Sequence, residues 1–396
     1  MSRKLASIQK IKAIKPIEGA DRIECVQILN WDCVAKKGEY EVGDMVVYFE
    51  IDSLLPDIPL LEWLKGSSWS QKLNKYKIST HKFRNQISQG LVIPISQAVE
   101  MYDQINPDLA DTNLPIEIMT PIEGTDLTEL LKIEKYEPPV SNGPLGDIIH
   151  HEWYVPKTDE ERIQVCAQDV LPKYVESEQD DWYATIKLDG TSCTVGLFDD
   201  GFLIGGRNQW YKGPNMYTET VNKDNTMKLK LEGYKAINGL YVVFQGELCG
   251  PGIQGNKLGL KEKEWFVFNV YISKTGTYDS YTKVDIGTMV DICGDFGLRV
   301  VPIVATANKF DFKENTDIDI IVENLLKYAN KFDFKENTDI DIIVENLLKY
   351  ADTFKYRNYF EDASPNQIAE GLVFRMNDMS NSFKVISNKF LLKGGE

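Results

Sequence analysis

Cysteine and histidine are scarce in this chain of 396 residues. Six cysteines lie scattered at positions 25, 33, 166, 193, 249 and 293, beside three histidines. No two cysteines form a C-x-x-C pair. A zinc site or a disulfide framework is therefore not expected, and a reducing, cytoplasmic compartment is. Long apolar runs are missing as well. No stretch approaches the ~20 residues of a membrane-spanning helix. The start, Met1-Ser2-Arg3-Lys4-Leu5-Ala6, lacks the apolar core of a signal peptide. Positive charge is in deficit, with 44 Lys+Arg against 60 Asp+Glu and a net charge of -16. That balance argues at first against a nucleic-acid partner. Its distribution weakens the objection: basic against acidic residues number 14 to 12 in 1–100, 5 to 19 in 101–186 and 25 to 29 in 187–396. Most of the excess lies between two candidate domains, where it reads as a solvated acidic face.

The length implies two domains. Residues 1–100 read as short strands between turn signals, with Val26–Leu29, Asp44–Glu50 and Gln89–Ile95 the clearest. Such spacing favours a small barrel or sandwich. Lys72, Lys75, Lys77, Lys82 and Arg84 form a basic cluster, which reads either as a solvated edge or as a phosphate-tracking patch. Leu127–Ile133 reads as a short helix. The run Glu137-Pro138-Pro139-Val140-Ser141-Asn142-Gly143-Pro144 then breaks regular structure. The expected division is 1–139, a linker at 140–150, and 151–396. Helical periodicity resumes around Asp159–Gln164, and strands dominate from Trp182 to about Tyr271, with a hairpin turn at Asp199-Asp200-Gly201.

Asn308–Ala329 is repeated without one difference as Asn330–Ala351, a 22-residue copy. A solenoid needs at least three units, so this reads as a recent duplication of the coding DNA or as an artificial copy, and not as an old array. In the first copy Phe310 and Phe312 lead into a helix with Thr316 as its expected N-cap. Its apolar stripe is Ile318, Ile321, Val322, Leu325 and Leu326. The duplication is expected to play no part in catalysis.

The chemistry centres on Lys187, at the end of the predicted strand Ala184-Thr185-Ile186-Lys187, before a tight Leu188-Asp189-Gly190 turn. Alone it is indistinguishable from an edge-strand lysine ahead of a hairpin. A lysine in such a place can accept a nucleotide as a phosphoramidate, splitting one hard transfer into easier steps. A free lysine is almost wholly protonated at neutral pH, so the site is expected to lower its pKa. Phosphoryl-type transfer also needs cations and carboxylates that hold Mg²⁺. Glu247 closes the strand Tyr241–Glu247, and Glu370 opens Glu370–Arg375. Their hard oxygens suit Mg²⁺. A glycine-rich loop, Cys249–Asn256, allows close approach to a ligand. Arg207, in Gly205-Gly206-Arg207-Asn208, is placed to grip ribose or phosphate. The aromatic strand Trp265–Tyr271 offers a ring to a purine, although core packing explains such a strand equally well.

In this order the elements resemble the covalent nucleotidyltransferase superfamily of ligases and capping enzymes. Lys187–Gly190 resembles its nucleophile motif, Phe244–Glu247 motif III and Trp265–Phe268 motif IIIa. Glu370–Arg375 is similar to motif IV, and Ser382–Lys389 to motif V. The front of the chain resembles the OB-fold domain of the Naegleria-type RNA ligases, through Gly19–Glu24, Val42–Asp44, Phe49–Ser53 and Gln86–Leu91. Lys157–Gln164 and Gly250–Gln254 are also typical of that group.

The resemblance implies an α+β chain: an N-terminal OB-like β-barrel, then an antiparallel-sheet nucleotidyltransferase domain. It implies an ATP-dependent RNA ligase using Mg²⁺ (or Mn²⁺) on RNA with 3′-OH and 5′-phosphate ends, in a nicked duplex or in single strands; a monomer is expected, though not from the resemblance. By the same resemblance Lys187 becomes adenylylated and Asp189 helps to place it. Arg207 contacts ribose or phosphate. Glu247 holds the ribose or a metal-bound water, Phe268 stacks on adenine, Glu370 orders the metal shell and Lys384 neutralises the α-phosphate. Many relatives carry a second lysine two positions after that of motif V. Here the position is Ile386, and Lys389 is the candidate substitute. Only a dozen residues follow Lys384, too few for the rear OB domain of DNA ligases and capping enzymes. A DNA-nick ligase or a GTP-using capping enzyme is thus the weaker alternative, and a non-enzymatic RNA-binding protein the weakest.

Overall fold

In the front part, β1 (Ala6–Pro16) is buried on both faces from Ala6 to Gln9; beyond it Ile11 stays buried while Lys10 and Lys12 are exposed. It pairs with β2 (Ile23–Ile28) on one side and β4 (Met45–Phe49) on the other; β3 (Trp31–Lys36) and β5 (Leu91–Pro94) extend the sheet to the order β5-β4-β1-β2-β3. The far edge curls onto the hairpin Thr80–Phe83/Gln86–Gln89. There Val34 N donates to Ser88 Oγ at 2.9 Å and Cys33 Sγ to the Gln89 carbonyl at 3.2 Å. Trp31, Tyr48 and Phe49 fill the interior. The result is an OB-fold half-barrel. This computed structural model describes residues 3–109, 115–136, 147–149, 153–156, 160–176, 182–306 and 339–393. The chain forms two compact units, Met1–Pro138 and Pro139–Gly395.

Arg3 ties the front unit together after β4. Its Nε lies 2.6 Å from Glu50, its Nη1 3.0 Å from Asp52, and its Nη2 donates to the Ile51 carbonyl at 2.7 Å. Leu127–Ile133, expected as a helix, is a sequence of turns. Leu131 N donates to the Leu127 carbonyl at 2.9 Å, but Lys132 adopts a left-handed conformation (φ 51°) that stops propagation. The apolar spacing of Leu127 and Leu131, both buried, is one turn of periodicity without a helix behind it.

The rear unit contains an eight-stranded and a four-stranded sheet. In the first, β7 (Thr191–Phe198), β8 (Tyr241–Cys249) and β9 (Glu264–Ser273) are central. β7 turns into Gly201–Gly205 through Asp199-Asp200. Asp147–Ile149, within the stretch read as a linker, pairs with Trp210–Lys212 at the sheet's edge. In the second sheet, β6 (Trp182–Lys187) lies between Ile303–Thr306 and β10 (Gly371–Met376), and β11 (Ser382–Ile386) follows.

Two helices cover one face of the four-stranded sheet. α1 (Ile163–Glu176) begins later than its periodicity suggested, because Arg162 is extended and pairs with Lys384. Residues Lys157–Asp159 lie outside the described residues. α2 (Ile340–Ala351) is the helix of the second copy, capped by Asp339, whose side chain accepts from Asp341 N and Ile342 N. It buries Ile343, Val344 and Leu347, the counterparts of the expected Ile321, Val322 and Leu325, and also Ala351, while Ile340 and Leu348 are partly buried; each large buried side chain contributes about 1.5–3 kcal/mol. The first copy, with Thr316, Phe310 and Phe312, lies outside the described residues. No helix among the described residues is long and apolar enough to cross a membrane.

Candidate active site

Strand register places the candidate residues. Lys187 opposes Gly371, which opposes Ile386; two residues back, Thr185 opposes Val373, which opposes Lys384. Lys187 and Lys384 therefore share one face of the sheet. Ala184, Ile186, Leu372, Phe374, Phe383 and Val385 take the other face, in the core with α1 and α2. The glycines of the motifs are demanded by close approach. A Cβ on Gly190 would come within 2.5 Å of the Leu248 carbonyl, 2.7 Å of Cys249 Sγ and 2.9 Å of Glu247 Cγ. One on Gly371 would lie 2.1 Å from the Val385 carbonyl. Nothing larger lets the Leu188–Gly190 turn reach the end of β8.

Lys187 Nζ lies 2.6 Å from Glu370 Oε1, with the lysine side chain 29% exposed. Asp189 pairs with Lys257, the residue that follows the glycine-rich loop. Burial would lower the pKa of Lys187, but Glu370, Glu247 and Asp189 outweigh it and hold the pKa above its ordinary value. This reverses the lowered pKa expected from the sequence, because the amine stands among three carboxylates. Glu247 is pushed up to about 8, first by burial and then by Glu370 and Asp189, against the pull of Lys187 and Arg207. Asp189 is pushed up to about 6 by burial and then by Glu370, while Lys257 and Lys187 hold it down.

Two of the three carboxylates thus lean toward their neutral forms, and the pocket is short of positive charge. A divalent cation suits that deficit. Among the described residues, no group of three or more His, Cys, Asp or Glu is arranged to hold a metal ion by itself. The donor set fits an ion that keeps most of its waters and touches Glu370 or Glu247.

The other expected residues fall in different places. Arg207 is exposed in the turn between Gly205 and Trp210, near enough for its charge to act on Glu247. Phe268 is a β-bulge: Gln245 faces Asn269 and Gly246 faces Val267, leaving Phe268 unopposed and packed at the edge of the core. Lys389 stands apart, exposed, with Nζ donating to the Asp352 carbonyl at 3.4 Å. In the front unit, Lys75 pairs with Glu134 at 2.5 Å and Lys77 lies 3.7 Å from the Tyr136 ring centroid, while Lys72, Lys82 and Arg84 are exposed.

Several residues near the site are not among those to which the motifs assign a role. Lys257 also lies 4.3 Å from the Phe390 ring centroid. Arg375, buried, donates to Glu160 at 2.8 Å and to Thr185 Oγ1 at 3.3 Å. Lys283 is pushed down to about 8 by burial and by Arg375. Tyr356 joins the motifs through its hydroxyl. The sequence held a hint for Arg375, at the end of the motif IV segment, and for Lys257, which directly follows the glycine-rich loop.

An OB-fold family model matches residues 5–95, and an RNA ligase family model matches residues 180–386. A Naegleria gruberi RNA ligase mutant solved with AMP and Mn is 30% identical, with 99% of each chain covered and a TM-score of 0.72. The same ligase with PPi is 29% identical over 100% of this chain and 99% of that one, again with a TM-score of 0.72. A further mutant of it, with ATP and Mn, is 29% identical, over 98% of this chain and 99% of that one, with a TM-score of 0.67. No curated protein sequence matches the chain significantly. An OB fold ahead of an antiparallel ligase domain defines a nucleic-acid-joining enzyme. The chain belongs to the RNA ligase family.

Proposed function

We propose that the protein joins RNA ends bearing a 3′-hydroxyl and a 5′-phosphate, spending ATP through an adenylyl group carried on Lys187. The observation that supports this reading most is the Lys187 amine held 2.6 Å from Glu370, with Glu247 and Asp189 close enough to govern its proton. The similar ligases solved with ATP and Mn, AMP and Mn, and PPi support the choice of nucleotide.

In the first step the neutral amine attacks the α-phosphorus of ATP. An N–P bond forms, the bond to the β-phosphate oxygen breaks, and pyrophosphate leaves. In the second step an oxygen of the RNA 5′-phosphate attacks the same phosphorus, and the N–P bond breaks to give an AMP-capped end. In the third step the 3′-hydroxyl attacks the 5′-phosphorus and AMP departs. Splitting the transfer in this way is covalent catalysis. Lys384, on the same sheet face as Lys187, would neutralise the α-phosphate, and Phe268 would stack on the base. Mg²⁺ or Mn²⁺ at Glu370 and Glu247 would neutralise phosphate charge and draw Glu370 away from the amine, leaving burial free to lower its pKa. Lys72, Lys82 and Arg84 are proposed to follow the RNA backbone.

Incubation with radiolabelled ATP and Mg²⁺ tests the reading. Label should stay on the protein, vanish in Lys187→Ala, and move to 5′-phosphorylated RNA. Retention of label from GTP alone, or of none, would refute it.

A further inference from the structure

The hydroxyl of Tyr356 makes three hydrogen bonds at once. It donates to the Lys187 carbonyl at 3.1 Å and accepts from Asp189 N at 3.0 Å and from Glu370 N at 3.2 Å. A phenol oxygen has one proton to give and two lone pairs to share, so its capacity is filled. The side chain is fully buried, and its ring packs edge-on to Phe360, centroids 6.2 Å apart. Gln367 holds the backbone, its carbonyl accepting from Tyr356 N at 3.1 Å. No strand pairing could provide these three contacts. Lys187 is the last residue of β6 and Glu370 directly precedes β10, so the Lys187 carbonyl, Asp189 N and Glu370 N lie where the strand pairing ends.

We propose that Tyr356 is a positioning residue, which fixes the nucleophile turn against Glu370 and so sets the line along which the Lys187 amine meets the α-phosphorus. This rests on the adenylyl-carrier reading above. The residue touches no reacting atom. It acts on the backbone of the two residues that do, and both side chains take their direction from that backbone. An error of about 1 Å in such a placement costs on the order of 10²-fold in rate.

The test is single-turnover transfer of radiolabelled AMP from ATP to the full-length protein over a range of ATP concentrations. Tyr356→Phe keeps the ring and removes the hydroxyl. The expected result is a rate constant at saturating ATP lower by about 10- to 100-fold, with less than a threefold change in the ATP concentration giving half the maximal rate, and an unchanged labelled fraction at completion. A purely structural role would instead lower the labelled fraction and leave the rate constant of the remaining molecules within about twofold, which would overturn the proposal. Should Tyr356→Phe fail to fold, 3-fluorotyrosine at position 356 decides. It keeps the shape and makes the oxygen a poorer acceptor, so slower labelling at full amplitude supports the proposal and wild-type labelling overturns it. If the wild-type protein takes no label on Lys187, the function itself is refuted, and this role with it. Wild-type labelling beside a normal Tyr356→Phe removes only the role of Tyr356.

Discussion

Arg3 in the front unit and Lys187 in the rear unit are both cations drawn against carboxylates beside a strand end. Arg3 reaches Glu50 and Asp52 with different nitrogens of one planar fork and adds the Ile51 carbonyl. Its guanidinium cannot be deprotonated in a protein, and the geometry leaves it nothing else to do. Lys187 offers a single amine to Glu370, while Glu247 and Asp189 act on it through space. An ammonium can lose its proton when the charges around it are redistributed. The difference between a clasp and a reactive group therefore lies in the cation, since carboxylates surround both.

The sharpest way to break this contrast is Lys187→Arg, which keeps a positive charge beside Glu370 but cannot become a nucleophile. Self-labelling from ATP should fall to background while the thermal midpoint stays near wild type; any lasting label on the variant would remove the distinction. Next in size, Glu370→Gln should slow labelling by about 10²-fold, as expected for the loss of one electrostatic contact at a phosphoryl centre. It also takes away the main force that holds the Lys187 proton. The rise of rate with pH should then begin at lower pH, and a pH–rate profile with an unmoved limb would count against the assignment. Arg3→Ala should leave labelling intact and destabilise the front unit by about 2–4 kcal/mol, the cost of stranding partly buried carboxylates. Urea unfolding followed by two probes would measure it.

A smaller effect concerns Glu247. Its folded pKa of about 8 lies above the ~4.3 of an unfolded glutamate. Between those values the folded chain binds a proton that the unfolded chain has released, so this group's contribution to stability is lost as pH rises toward 8. Without nucleotide, Glu247→Gln should raise the melting temperature by roughly 2–4 °C at pH 8.5 and change little at pH 5. A gain equal at both pH values would contradict the assignment. Smallest of all, deleting 308–329 should leave labelling and stability unchanged, because the second copy supplies α2. Loss of activity in a folded deletion protein would show that the repeat matters to catalysis.

The motifs were legible because they are local. Lys187, Asp189, Glu247 and Glu370 each sit beside a strand end and a tight turn, and the structure brings all four together. The strands of the OB unit were legible for the same reason, as alternation between turn signals. What escaped depends on approach between distant segments. Lys257 meets Asp189 across 68 residues and Tyr356 meets Lys187 across 169. Neither separation leaves a pattern in one sequence. Arg162 is extended because Lys384 lies beside it, so a tertiary pairing overrode the helical period at Asp159–Gln164. The raised pKa of Lys187 was missed because burial was weighed without the number of carboxylates it would face.

Cys249 occupies the space beside Gly190 that any larger residue would need. Burial, and then Glu247, Asp189 and Glu370, keep its sulfur protonated. Alkylating and oxidising reagents attack the thiolate, so this atom is inert while the turn is closed. Its slow modification in the native protein would count the moments at which the turn breathes, a clock for local opening that needs no added probe.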